Sequence, residues 1–239
     1  MNWWNGLVDL VYPRNCQLCE QPLAEEDRGA ICGGCLARVK FIEPPCCRQC
    51  ALPFAGQPRE TFQCSYCQDL GFSFERAVAA CRAEGVVRAA VLGFKYRRQM
   101  YFLPHLAEWL VGAAREWIAW DEVDAIVPVP LHPRKRRERE FNQAELLTEY
   151  LGRVVGVPVV ANAVRRVKDT PTQTRLDAEQ RRRNLRGAFQ VRRGDRIAGR
   201  RVVLVDDVFT TGVTLDSCAR VLRQAGARGI IALTVARGV

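Results

Sequence analysis

The stretch VVLVDDVFTTGVTL, residues 202–215, decides the fold. Its opening apolar residues predict a buried strand, VVLVDD, which ends in the two acids Asp206 and Asp207. The segment TLDSCARVLRQAG then predicts a helix that stops at Gly226, and IIALTVA predicts a further strand. A buried strand, a helix and a second buried strand form a βαβ unit, whose two strands run parallel.

The chain upstream repeats this alternation of strands and helices. RAVAACRAEGVVRAAVLGFKY predicts a strand, a turn at Gly85 and a helix, and LPHLAEWLVGAAREWI and QAELLTEYLGRVVG predict two more helices. VDAIVPVP and VPVVANAVRRV predict two more strands, and LHPRKRREREFNQ between them is interpreted as a basic turn. We therefore predict an α/β fold with a parallel sheet covered on both faces and with ligands at the carboxyl ends of its strands.

The first part of the chain has a different composition. Of the eleven cysteines, eight form four C-x-x-C pairs, and the second two pairs follow the first two at a shift of 31 or 32 residues. Two thiolates on one tight turn grip a tetrahedral ion, and a second such turn completes a closed four-sulfur shell. The predicted ligands of two structural Zn²⁺ ions are Cys16, Cys19, Cys32, Cys35, Cys47, Cys50, Cys64 and Cys67.

Disulfides are the competing interpretation of these cysteines. They belong to oxidising compartments, and the N-terminus MNWWNGLVDLVYP lacks the pattern of an export signal, so zinc is favoured. The spacing favours sequential pairing of the C-x-x-C turns but leaves interleaved ligation and a role for Cys46 as a spare ligand open. We place the metal-binding domain at residues 1–70 and the α/β domain at residues 71–239.

The positive charge is concentrated in one segment. The net charge is +10, and residues 161–201 alone carry thirteen basic and four acidic residues. Such a segment is either a solvated loop or a surface for a polyanion, a phosphorylated small molecule or a nucleic acid. No apolar run approaches the roughly 20 residues that span a bilayer, so no membrane span is expected.

The loop after the strand VVLVDD offers the parts of a phosphate site. Thr210, Thr211 and Thr214 supply hydroxyl groups at a predicted helix N-terminus, where free N–H groups favour an anion, and Gly212 allows close approach of the backbone. Adjacent carboxylates suit the vicinal hydroxyls of a ribose, so the combination describes a ribose 5-phosphate site. The alternative is an N-capping threonine beside two solvated acids.

VVLVDDVFTTGVT resembles the phosphoribosyl-pyrophosphate (PRPP) motif of type I phosphoribosyltransferases. The whole chain resembles the ComF (ComFC or GntX-like) family, through its doubled cysteine ribbon, FKY, VPVPLHPRKRREREFNQAELL, TPTQTR, NLRGAF and the PRPP loop. Glu140 departs from the glycine that this family usually has there. The resemblance implies a double zinc ribbon followed by a type I phosphoribosyltransferase-like domain.

The resemblance also implies site residues. Asp206 and Asp207 would bind the ribose hydroxyls of PRPP, and the threonine loop with Gly212 would hold the 5-phosphate. The turn around Val129 would face the pyrophosphate. Residues 168–184 match a loop that closes over the ligand, whose Arg175 would neutralise pyrophosphate, and Mg²⁺ would accompany PRPP on its own oxygens.

Three functions follow as expectations. The first is a cytoplasmic competence protein that handles incoming single-stranded DNA, with Arg181, Arg182 and Arg183 on the phosphates. The second is an active phosphoribosyltransferase whose acceptor and catalytic base the sequence does not name. The third is a scaffold whose ribbons dock a competence helicase as partner. His132, near the pyrophosphate turn, is interpreted either as a hydrogen-bonded turn residue or as a catalytic one.

Overall fold

The computed structural model describes residues 14–54, 56, 62–68, 71–169 and 187–238. In its N-terminal part, the same hydrogen-bonded turn occurs at Cys16 and again at Cys47. The N–H of Cys16 donates to the carbonyl of Gln21 and the N–H of Cys47 donates to that of Leu52, both at 2.8 Å. Isolated bridges join Asn15 to Pro22 and Cys46 to Pro53 in the same way. The internal repeat inferred from the cysteine spacing is thus a repeat of backbone geometry.

The rest of the described chain is an α/β domain. The helices of both parts are α1 (Gly33–Leu36), α2 (Ser65–Gln68), α3 (Gly85–Tyr96), α4 (Leu103–Trp117), α5 (Pro133–Arg139), α6 (Gln143–Val155) and α7 (Val213–Gln224). Short 3₁₀ turns lie at Met100–Phe102, Trp120–Glu122 and Gly194–Arg196. The strands are β1 (Arg76–Arg82), β2 (Ala125–Pro128), β3 (Val164–Arg166), β4 (Phe189–Val191), β5 (Arg201–Phe209) and β6 (Gly229–Arg237).

Four strands form one sheet in the order β1-β6-β5-β2, and every neighbouring pair in it is parallel. Successive side chains of β5 serve the two faces, as the pleat requires. Val203 and Val205 lie in the core formed with helices α3, α4 and α6, whereas Val202 and Leu204 lie in the core formed with α7. The sequence prediction of a parallel sheet covered on both faces is confirmed.

The cysteine-rich N-terminal part, from Arg14 to Gln68, is called the ribbon, and it covers the β1 edge of this sheet. The N–H of Ile42 donates to Ala80 at 2.9 Å, and the N–H of Arg82 donates to Lys40 at 2.8 Å. Further along β1, the N–H of Ala77 donates to Gln49 at 3.0 Å. Bonds of this kind satisfy edge groups that would otherwise template pairing with another chain.

Three local predictions differ from the structure. The basic stretch interpreted as a turn contains the helix α5, which His132 caps by accepting from the N–H of Arg134. The single strand predicted for VPVVANAVRRV is divided: Val159 makes one bridge to Ile126, and β3 forms a separate antiparallel pair with β4. The strand β5 continues past the two acids to Phe209, because its partner β6 is equally long.

None of the described helices combines the length and the apolar character that crossing a membrane requires.

Candidate functional site

Each half of the ribbon gathers four sulfur atoms. Within each group all ligand atoms lie within 4.8 Å of one another, and the groups are sequential: Cys16, Cys19, Cys32 and Cys35, then Cys47, Cys50, Cys64 and Cys67. The Sγ–Sγ distances are 3.8 Å for Cys16–Cys35, 3.6 Å for Cys19–Cys32 and 3.7 Å for Cys50–Cys64. Tetrahedral Zn²⁺ with Zn–S bonds of about 2.3 Å requires sulfurs about 3.8 Å apart, whereas a disulfide requires about 2.05 Å. The side chains fit two closed zinc sites.

The remaining cysteines lie outside these two groups. Cys46, considered a spare ligand, packs against Ile42, Ala51 and Ala79. Cys81 and Cys218 are fully buried in the hydrophobic cores. The structure therefore decides for sequential ligation, which the spacing alone left open.

The two acids of β5 have different surroundings. Asp207 is 5% exposed, and its carboxylate oxygens lie 2.9 and 2.7 Å from the Nζ of Lys95 on α3. Asp206 is half-buried, and its Oδ1 accepts from the backbone N–H of Asp207 at 2.9 Å. Because alternate residues of a strand point to opposite faces, the two side chains do not lie side by side.

The ion pair between Lys95 and Asp207 was not predicted from the sequence. Lys95 belongs to the FKY motif, which carried no assigned role, and 112 residues separate it from Asp207. Burial opposes the charged form of Lys95, but the charges of Asp207 and Asp206 outweigh it and raise its pKa. Lys95 is therefore a fixed cation beside both acids.

Asp206 is more easily protonated than an ordinary aspartate. Burial, followed by the charge of Asp207, raises the pKa of Asp206 to about 7, against the opposing influence of Lys95 and Arg166. Such a carboxyl group changes charge near neutral pH, which makes it sensitive to any ligand that favours one form.

The loop after β5 has its carbonyl groups turned toward the protein. The carbonyl of Phe209 accepts from the N–H of Gly238 at 2.8 Å, and that of Thr210 accepts from Arg237 at 2.9 Å. The carbonyl of Thr211 accepts from the hydroxyl of Tyr66 at 2.9 Å. In a trans peptide C=O and N–H point in opposite directions, so the N–H groups of residues 210–212 point away from these donors. Successive N–H groups at a helix N-terminus form an anion site.

Both the backbone conformation and the packing at position 212 require glycine. Its φ is 74°, in the left-handed region, and a Cβ atom there would lie 2.5 Å from the ring of Phe209 and 3.0 Å from that of Phe72. Thr210 is exposed, and Thr211 and Thr214 are half-buried, so the three hydroxyl groups lie at or near the surface.

The turn after β2 is held by Asn142. Its Nδ2 donates to the carbonyl of Val129 at 3.0 Å, while its Oδ1 accepts from the N–H of Ala144 at 3.1 Å and caps α6. Val129 is buried, and its own N–H donates to the carbonyl of Val205 at 2.8 Å. This ties the turn to the strand that carries the two acids.

The two histidines make structural hydrogen bonds. His132 caps α5, and its Nδ1 lies 3.6 Å from Asp169. His105 is buried and accepts from the N–H of Ala30 in the ribbon at 3.2 Å. These contacts favour the interpretation of His132 as a hydrogen-bonded turn residue.

Several predicted site residues lie outside the described part of the chain, namely Arg175, Arg181, Arg182 and Arg183. The described residues on either side of that segment are joined, because the N–H of Val167 donates to the carbonyl of Ala188 at 2.8 Å. Asp169, the last described residue before it, lies 3.4 Å from Arg134 on α5.

A cavity of about 940 Å³ lies beside the turn after β2. Glu145 and Glu149 of α6 line one part of it. The other charged residues that line it are arginines: Arg136, Arg165, Arg166, Arg192, Arg193, Arg196 and Arg200. Arg166 also acts on Asp206, whose pKa it lowers. The sequence placed most of these arginines in the basic segment 161–201 but did not predict that they line one cavity.

Comparison with known proteins agrees with this geometry. The double zinc ribbon domain family matches residues 7–83, and the phosphoribosyl transferase domain family matches residues 143–238. Competence protein F of Haemophilus influenzae is 33% identical over 216 residues, covering 88% of this chain and 91% of that protein. The chain belongs to the ComF family.

Other members of the ComF family carry a different name. DNA utilization protein YhgH of Salmonella typhi is 35% identical over 221 residues, covering 91% of this chain and 94% of that protein. Among solved structures, the glutamine PRPP amidotransferase of Bacillus subtilis aligns at 16% identity with a TM-score of 0.40, covering 59% of this chain and 30% of that one. The two family matches place a double zinc ribbon before a phosphoribosyltransferase-type domain in this ComF protein.

Proposed function

We propose that this ComF protein binds PRPP, or a related phosphorylated ribose, at the loop after β5. The observation that carries the proposal is the orientation of the loop. The carbonyls of residues 209–211 are held by protein donors, which turns the N–H groups of residues 210–212 toward a bound anion. The hydroxyls of Thr210, Thr211 and Thr214 complete the phosphate site.

The acids have separate roles in this proposal. Asp206 is half-buried and accepts one backbone hydrogen bond, so its carboxylate is the direct acceptor for a ribose hydroxyl. Asp207 contributes from within its ion pair with Lys95, whose ammonium group adds positive charge beside the phosphorylated sugar. The turn around Val129 stays the proposed pyrophosphate loop, although the N–H and carbonyl of Val129 itself bond to Val205 and Asn142. Arg175 stays a proposed pyrophosphate contact, and Mg²⁺ is carried by the ligand oxygens.

Calorimetry with PRPP and Mg²⁺ tests this function. We expect saturable binding to the wild-type protein and its loss in the double variant Asp206→Asn with Asp207→Asn. The matched control is Asp121→Asn with Asp195→Asn, which removes the same charge from two exposed 3₁₀ positions. Equal affinity in the two double variants would refute the proposed site. Release of pyrophosphate in the same samples would identify the transferase alternative.

A second function, handling of single-stranded DNA in the cytoplasm, is favoured by the arginine-lined cavity. Four of its arginines, Arg165, Arg166, Arg192 and Arg193, lie on or directly after β3 and β4, the strands that flank in sequence the segment with Arg181, Arg182 and Arg183. Phosphates neutralised by arginine release counterions, so binding should weaken with salt by a factor set by the number of contacts. Docking of a competence helicase by the ribbons is a separate proposal, in which the basic segment is only solvated.

The cavity and the segment can be tested separately. Arg192→Gln, Arg193→Gln and Arg196→Gln together should reduce the slope of log affinity against log salt by about 2, at about 0.7 per phosphate. Arg181, Arg182 and Arg183 changed to alanine form a parallel variant. The control triple changes Arg88, Arg97 and Arg115, which are exposed and do not line the cavity, to glutamine. If all three variants keep the wild-type slope, DNA does not use this charge.

A further inference from the structure

The second half of the zinc ribbon is in direct contact with the proposed phosphate loop. Tyr66 lies between the ligands Cys64 and Cys67 on α2, and its hydroxyl donates to the carbonyl of Thr211 at 2.9 Å. The two residues are separated by 145 positions in the sequence. A side chain of the metal-binding turn therefore fixes the orientation of a peptide group in the loop.

Arg237 makes a second connection between the same two elements. It is 5% exposed, its Nε donates to the carbonyl of Cys50 at 2.9 Å, and its Nη2 lies 3.6 Å from the Sγ of Cys50. Its Nη1 donates to the carbonyls of Thr210 at 2.9 Å and Phe209 at 3.3 Å. Its guanidinium carbon lies 4.6 Å from the centre of the Phe209 ring. One buried guanidinium thus holds a zinc ligand and the loop together.

The first half of the ribbon has a different neighbour. In this half, the N–H of Ala30 donates to His105 on α4. Arg38 donates to the Sγ of Cys35 at 2.9 Å, a contact within the ribbon itself. The contact with His105 connects the first half of the ribbon to α4, on the sheet face that α3, α4 and α6 cover. The two zinc sites are similar in ligand geometry but differ in what they support, and this provides an internal control.

We propose that the second four-cysteine site positions the phosphate loop, with Tyr66 and Arg237 as the positioning residues, so that metal binding there and phosphate binding at the loop reinforce each other. A closed zinc shell fixes the backbone around Cys50 and Cys64. The donors attached to that backbone then hold the loop carbonyls, and the N–H groups face the ligand. Coupling between two sites is reciprocal, so an anion in the loop should also slow release of the second zinc.

The inference rests on the proposed PRPP site for its binding readout only. Amide hydrogen exchange at Gly238 and Asp216, whose N–H groups donate to the loop carbonyls of Phe209 and Gly212, gives a readout that needs no ligand. We expect Tyr66→Phe and Arg237→Lys to speed exchange of these loop-bonded amides about 2- to 10-fold, as loss of one hydrogen bond implies, while two zinc ions per chain stay bound. Tyr101→Phe, at a half-exposed position on a 3₁₀ turn, should leave exchange unchanged.

Zinc release to a chromophoric chelator supplies the second readout. In the wild type, saturating PRPP with Mg²⁺ should slow release of one of the two ions, and in Tyr66→Phe and Arg237→Lys this effect should shrink. Arg38→Lys, which alters the first site, should keep the effect of PRPP. Unchanged loop exchange in both positioning variants would overturn the inference. A wild type that binds no PRPP would refute the proposed function, and the exchange result would still decide the positioning role.

Discussion

The ion pair between Lys95 and Asp207 should be the most important polar contact for stability around the candidate site. The carboxylate oxygens of Asp207 lie 2.7 and 2.9 Å from the Nζ of Lys95, and the side chains of Lys95 and Asp207 are 23% and 8% exposed. Removal of one partner from a buried pair costs about 3–5 kcal/mol, because the other charge is left without compensation. Lys95 retains some contact with water, so we expect Lys95→Met to cost about 3 kcal/mol.

A second ion pair with a similar nitrogen–oxygen distance is the control. Lys40 and Glu84 lie 2.8 Å apart, but their side chains are 63% and 40% exposed. An exposed pair contributes only about 0–1 kcal/mol, because water screens both charges. Lys40→Met should therefore lower the free energy of unfolding far less than Lys95→Met, although the broken contact has the same length.

Urea unfolding of the zinc-loaded protein, followed by circular dichroism, measures both costs. Asp207→Asn in the Lys95→Met background should restore much of the loss, since the uncompensated acid is then removed. The reasoning would be refuted if Lys95→Met and Lys40→Met lowered the unfolding free energy equally, or if the added Asp207→Asn restored nothing.

Four further predictions follow from the site and its supports. Because burial and a neighbouring acid raise the pKa of Asp206 to about 7, the ionised fraction of this carboxyl group rises roughly tenfold between about pH 6 and about pH 8. PRPP affinity should therefore rise by about that factor more in the wild type than in Asp206→Asn, and parallel calorimetric profiles would contradict this. The same raised pKa means that ionisation of Asp206 costs folded-state stability as the pH rises from about 4 through about 7, so Asp206→Asn should flatten the dependence of urea midpoints on pH over that range. Asn142→Ala removes a helix cap and the donor to Val129, and should cost about 2 kcal/mol by urea unfolding, whereas an unchanged midpoint would exclude the cap. Glu140 has a φ of 70°, and its carboxylate lies 2.8 Å from the guanidinium of Arg98. Glu140→Gly should raise the thermal midpoint slightly through about 0.5 kcal/mol, and a lowered midpoint would show that the ion pair with Arg98 outweighs the strain.

The cysteine spacing was sufficient to predict both four-sulfur groups. Two C-x-x-C turns at matched separation leave few ways to build a tetrahedral shell, and the chemistry of the ligands is local to each turn. The spacing left the pairing of the turns open, because two pairings satisfy the same intervals. The two groups of four sulfur atoms show that each half of the ribbon uses its own pair of turns.

The strand and helix pattern was also readable, with errors where tertiary contacts override local preference. The strand β5 extends past its acids because β6 supplies partners as far as Phe209. The segment after α6 is divided because Val159 pairs with β2 while Val164 pairs with β4. Neither partner is close in sequence, so periodicity alone predicted one strand where the chain makes two separate contacts.

The sequence by itself determined the classes of site: eight thiols at metal-ligand spacing, and two acids followed by a hydroxyl-rich helix entry. Only the tertiary structure decided how those groups are held, since Lys95 reaches Asp207, and Tyr66 and Arg237 reach the loop, across long separations. Motifs are short because ligand chemistry needs a few groups on one turn. Their orientation depends on buried donors and charges from distant segments, which come together only when the sheet and the ribbon pack.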